Sequence, residues 1–91
     1  MLILRQEAER DLSDAHAWYE ERMPGLGSSF LAATERTLEA IEREPGRFPR
    51  VRGDIRRALL RRFPYGVFFI WEEERISVIA IMHLARDPGK W

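Results

Sequence analysis

Cysteine is absent from the chain. That excludes disulfides, thiolate nucleophiles and cysteine-ligated zinc, and it fits a reducing compartment. Histidine is almost absent as well. His16 and His83 are the only two, too far apart in sequence to read as a metal site, and neither an HExxH stretch nor a glycine-rich phosphate loop occurs. No metal and no cofactor are expected. Gly25-Leu26-Gly27 follows no strand and reads as a turn. No apolar run approaches the ~20 residues of a membrane span, so no membrane association is expected. The N-terminus, Met1-Leu2-Ile3-Leu4-Arg5-Gln6-Glu7, lacks a basic region ahead of a long apolar stretch. A secretory signal is therefore not expected, and a cytoplasmic location is. Lysine is scarce too: Lys90 is the only one, so fourteen of the fifteen basic residues are arginine.

What is present suffices for one domain, residues 1–91, with no room for a second core. A chain this short buries only about two thirds of its unfolded surface, so its stability margin is thin. Its 45% hydrophobic content supports a core and its 33% charged residues support solubility. The net charge of zero conceals a split. Residues 1–46 carry five basic and ten acidic residues, and residues 47–91 carry ten and five. From Arg47 to Arg62 there are seven arginines and one acid, Asp54. Genomic base composition accounts for the arginine preference as readily as function does. The clustering is harder to dismiss, because an arginine-rich strip attracts carboxylates or phosphates and holds either bidentately.

Leu2-Ile3-Leu4 reads as a first strand. From Glu7, the residues Ala8, Leu12, Ala15, Tyr19 and Met23 recur on one face of a helix, with Glu7 and Glu9 in the first turn, where the helix dipole favours acids. Met23-Pro24-Gly25-Leu26-Gly27 turns the chain into a second helix, about Leu26 to Arg43, with a buried stripe of Phe30, Ala33, Thr37 and Ile41 and with Leu38 alongside. Pro45, Gly46 and Pro49 break it. Two helices joined by a short loop should lie antiparallel. Ile55 to Arg62 has strand composition without clean alternation, as an edge-like or bulged strand with arginines on both faces would. Phe63-Pro64 marks a turn. Tyr65 to Trp71 and Ile76 to Met82 read as strands covered on both faces, joined by an acidic tip, Glu72-Glu73-Glu74. Arg86 to Trp91 reads as a tail. The expected fold is α+β: a short strand, an antiparallel helical hairpin and a small, mainly antiparallel sheet in the order β-α-α-β-β-β.

Few residues offer chemistry. The acids of the two helices read most simply as solvated faces. His83, at the end of the last strand and on the expected face of Ser77, Ile79 and Ile81, is either structural or a general acid or base. Arg86, followed by Asp87-Pro88, is either a salt-bridged turn or a binding residue. Arg57, Arg61 and Arg62 form a cationic strip beside Tyr65. Were RNA cleaved here, the arginines would stabilise a pentacovalent phosphate and Tyr65 or His83 would move protons, since arginine stays charged. The plainer reading is that the strip docks an acidic protein surface.

Several motifs occur in order along nearly the whole chain: Ala8-x-x-Asp11-Leu12, Trp18-Tyr19-Glu20, Met23-Pro24-Gly25-Leu26-Gly27, Pro45-Gly46-Arg47-Phe48-Pro49, Arg61-Arg62-Phe63-Pro64-Tyr65 and His83-x-x-Arg86-Asp87-Pro88-x-x-Trp91. Together they resemble the RelE/ParE superfamily of toxins from bacterial type II toxin–antitoxin and plasmid-stabilization systems. The resemblance implies a cognate antitoxin, and with it a toxin–antitoxin hetero-oligomer; the residues expected to bind the antitoxin or the target are Arg56, Arg57, Arg61, Arg62, Arg86 and Trp91. The RelE-like branch cuts messenger RNA on the ribosome with a site of lysine, arginine and a tyrosine near the C-terminus; here that role would fall to Arg61, Tyr65, His83 and Arg86. This chain has no lysine in its strand region and no tyrosine after Tyr65. The motifs look closer to the ParE-like branch, which poisons DNA gyrase, so the expectation is a gyrase inhibitor with no catalytic site of its own. The alternatives are the ribosome-dependent RNase and a non-toxic binding module of the same fold.

Overall fold

Apolar residues at helical spacing build the first half of the chain. In this computed structural model, which describes residues 1–85, α1 (Gln6–Arg22) buries Ala8, Ala15 and Tyr19. Helix α2 (Leu26–Arg43) buries Gly27, Phe30, Ala33, Thr34, Thr37 and Ile41. The buried hydroxyls of Thr34 and Thr37 donate to the carbonyls of Phe30 and Ala33, at 2.9 and 3.1 Å, so neither is left unsatisfied. Met23, expected to close the α1 stripe, lies just past the helix and is exposed. The Pro24-Gly25 turn has already begun there.

The helices cover one side of a five-stranded sheet of order β1-β5-β4-β3-β2. Its strands are β1 (Leu2–Leu4), β2 (Arg50–Arg52), β3 (Ile55–Leu59), β4 (Tyr65–Glu72) and β5 (Arg75–His83). β1 runs parallel to β5 and every other pairing is antiparallel. This is the expected α+β order with one addition, β2, which enters from a tight 3-10 turn at Pro45–Arg47. The addition changes the edge. β3 is internal, paired on both sides, and β2 with its three exposed residues is the outer strand. β3 also stops at Leu59, which leaves Arg61 and Arg62 on the connection to β4.

Strand parity sorts the core into two layers. Ala58, Leu60, Tyr65, Val67, Phe69, Ile76, Val78 and Ile81 meet the helices. Phe68, Ala80 and Met82 form a second cluster on the far side, with Ile55 and Ile79 against it. A bulge switches the parity of β5: Phe68 pairs with Ala80 but Phe69 with Val78, so Ile79 has no partner across the strand. Ile81 and His83 therefore share the helix side with Ile76 and Val78. This corrects the expected placement of His83, which is on the opposite face from Ser77. Past the bulge, the Ile81 amide donates to Asp11 Oδ2 at 3.0 Å, tying α1 to β5.

Candidate functional site

Arg56, Arg57, Arg61 and Arg62 do not form one strip; β3 and the connection that follows it distribute these four among three environments. Arg56 points to the helix side of the sheet. Its Nη1 donates to the Phe48 carbonyl at 2.6 Å and, more weakly, to that of Gly46 at 3.5 Å. Its guanidinium carbon lies 5.7 Å from the centre of the Trp71 ring. Arg56 thus holds the 3-10 turn against the sheet, with Gly46 close enough to Trp71 that a Cβ there would stand 3.2 Å from the ring.

Arg57 points the other way, beside Ile55 and Leu59 and opposite Phe68. Its stem crosses Gly66, where a Cβ would come within 3.3 Å of Arg57 Cγ. Its Nε is buried and has no hydrogen-bond partner among the described residues. A buried donor without a partner costs free energy and calls for an explanation. Leu59, on the same face, is 54% exposed.

Arg61 and Arg62 sit in the third environment, the β3–β4 connection, which the Leu60 amide closes on the Tyr65 carbonyl at 3.0 Å. Together with Ser29, Arg36 and Phe63 they line a cleft of about 570 Å³ beside α2. Arg36 escaped the sequence reading. Its signal was nonetheless present, since Ser29, Ala32, Ala33 and Arg36 follow the spacing of one helix face.

Tyr65 is buried within an aromatic cluster, with ring centroids 5.0 Å from Phe30 and 6.0 Å from Tyr19. The His83 ring meets it edge-on at 5.2 Å, and His83 Nδ1 accepts the Ala85 amide at 3.1 Å. The structure thus brings Tyr65 and His83 together and puts Arg61 in the cleft beside α2. Arg86 and Trp91 lie outside the described residues.

One acid also departs from the solvated reading. Neither Gly25 nor any other residue at the start of α2 provides a side-chain cap. Glu20 reaches forward from α1 instead, its two carboxylate oxygens accepting the amides of Gly25 and Gly27 at 3.0 Å each. Gly25 takes a φ of 91°, which favours glycine. A Cβ at Gly27 would stand 2.8 Å from both Glu20 and His16. The Gly25 and Gly27 amides, with a smaller contribution from His16, hold the Glu20 carboxyl below its ordinary pKa. The clip is therefore complete above the usual glutamate range, about 4.3, and fades as the pH falls through the lowered folded value. Glu20→Gln should lower the melting temperature at neutral pH, and the gap from the parent should narrow as the pH falls below the usual glutamate range. A gap that stays constant across an acid titration would mean that Glu20 acts by some other route.

The model of the family described as the ParE toxin of the type II toxin–antitoxin system, parDE, matches residues 2–88. The chain belongs to the ParE toxin family. Among solved structures it is similar to a chain from one described as a chromosomal ParDE TA system from P. aeruginosa, with a TM-score of 0.80 over 90% of this chain and 92% of that one. The identity is 16%, so that likeness is one of fold. No curated protein matches the chain. Within this ParE-family toxin the sequence motifs acquire physical roles. Asp11 grips β5, Glu20 and the Gly25-x-Gly27 pair lock the hairpin turn, and Gly46 admits Trp71. No helix among the described residues is long and apolar enough to cross a membrane.

Proposed function

We propose that this chain works as the single-domain toxin of a parDE-type pair in the cytoplasm, binding and arresting DNA gyrase, and that a cognate antitoxin silences it in a hetero-oligomer. The family assignment supports the target, and the likeness to a ParDE system supports the pairing. The observation that carries the antitoxin half is Arg57, whose buried Nε lacks a partner among the described residues and sits at the margin of an apolar cluster. An acidic antitoxin segment supplies what is missing there. It runs along the β2 edge, where Arg50, Val51 and Arg52 are exposed, and lays apolar side chains on Leu59 and Ile55. Its carboxylates meet Arg57 within the site and Arg50 and Arg52 at the rim.

Inducing the chain alone in a bacterium tests the target. DNA supercoiling should fail before message integrity does, and a His83→Ala variant that stays folded should remain toxic. Codon-specific cleavage of message on purified ribosomes, lost in His83→Ala, would overturn the gyrase reading in favour of the RNase.

A further inference from the structure

The cleft beside α2 carries more positive charge than a structural role explains. Arg36 on α2 and Arg61 and Arg62 on the β3–β4 connection line it with Ser29 and Phe63, and among the described residues no acidic side chain does. Among the described residues none of the three guanidinium groups has an ion pair or hydrogen bond. The whole chain is neutral, so this concentration does not follow from an excess of basic residues over the chain, and Arg36 joins it from the acidic first half. Like charges gathered without counter-charges repel one another. Arg62 adds a second cost, because its backbone is held at a φ of 74°, a left-handed conformation that favours glycine. Strain of this kind, kept at a cluster of unpaired charges, points to a site.

We propose that this cleft binds the phosphodiester backbone of a nucleic-acid strand. A planar guanidinium matches a phosphate bidentately, and a nucleic-acid strand repeats that group at every nucleotide, whereas a peptide carries a carboxylate only where its sequence supplies an acid. A peptide groove also draws its affinity from apolar anchors, whereas among the described residues this cleft offers only the half-buried Phe63 beside two alanines. Backbone binding needs chiefly cations that displace condensed counterions. The site is distinct from the Arg57 face and does not depend on the choice of gyrase as target. A toxin directed at a DNA-bound enzyme would gain a second foothold through it.

Fluorescence anisotropy of a labelled single-stranded DNA oligonucleotide on the purified chain provides the test. Three phosphates neutralised predict a log–log salt slope of about −2, or a roughly 15- to 20-fold loss of affinity between about 50 and 200 mM salt. Arg36→Gln and Arg62→Gly should each flatten that slope by about 0.7. Arg62→Gly is the sharper variant, because glycine relieves the positive φ. Its melting temperature should hold or rise while DNA binding weakens, which separates a lost contact from lost folding. RNA of the same sequence should bind within about tenfold of DNA, since the arginines read phosphate. The proposal is overturned if either variant leaves the slope unchanged, if a glutamate-rich peptide of equal charge binds as tightly as DNA, or if RNA exceeds DNA by more than that margin.

Discussion

Replacing Phe30 by alanine is expected to cost this domain about 3–5 kcal/mol of stability. Phe30 is fully buried and sits where the two helices meet the sheet. Its ring lies 5.2 Å from Tyr19, 5.4 Å from Phe63 and 5.0 Å from Tyr65 between centroids. Truncation removes the transfer free energy of the ring and leaves a cavity whose walls are other aromatics. Those walls belong to α1, β4 and the β3–β4 connection, which are held by further contacts and cannot all close in. Domains of this size have a total stability of about 5–15 kcal/mol, so the loss is a large share of it. The melting temperature should fall by about 12 °C or more. Phe30→Leu, which keeps much of the volume, should cost less than half as much. Urea unfolding of the three proteins checks this, and an alanine variant within about 1 kcal/mol of the parent would place Phe30 outside the load of the core.

The helical hairpin was legible in the sequence because its buried residues recur at 3.6-residue spacing, and because Pro24, Gly25, Pro45 and Gly46 punctuate its ends. The antiparallel β4–β5 pair was legible from two apolar runs around an acidic tip. Three features were not. β2 is Arg50-Val51-Arg52 with every residue exposed, so it has no buried face and therefore no alternation to read. The Ile79 bulge is hidden because β5 is apolar on both sides; an extra residue in such a strand breaks no pattern, yet it moves His83 to the other face. The Glu20 clip is hidden because the capping group comes from the preceding helix and not from the residue that opens α2.

The arginine run teaches the same lesson about a candidate site. As a string, Arg56, Arg57, Arg61 and Arg62 look equivalent. Strand parity sends Arg56 and Arg57 to opposite faces, and the end of β3 at Leu59 carries Arg61 and Arg62 into a turn. Charge was visible in the sequence, but its direction depended on where one strand starts and stops.

That separation turns antitoxin docking into a positional test. Arg57→Glu is expected to weaken the proposed antitoxin complex by about 2–5 kcal/mol, roughly thirtyfold or more in affinity. The parent places against the incoming segment a partly buried guanidinium whose Nε has no partner among the described residues; the variant places a carboxylate there, facing another carboxylate. Because that contact is desolvated, the loss should fall mainly on dissociation and respond weakly to salt. Arg50 and Arg52 lie exposed on the β2 edge, where screening is strong. Their reversal, like added salt, should slow association and change dissociation little. Arg61→Glu, set in the cleft beside α2, should leave antitoxin affinity within a few-fold of the parent although it removes the same charge. Stopped-flow association and dissociation with the antitoxin encoded beside this gene measure all of these, with circular dichroism confirming that each variant is folded. If Arg57→Glu and Arg61→Glu weaken the complex equally, the antitoxin senses net charge along the run and Arg57 is not its anchor. If neither does, the docking face lies away from β3 altogether.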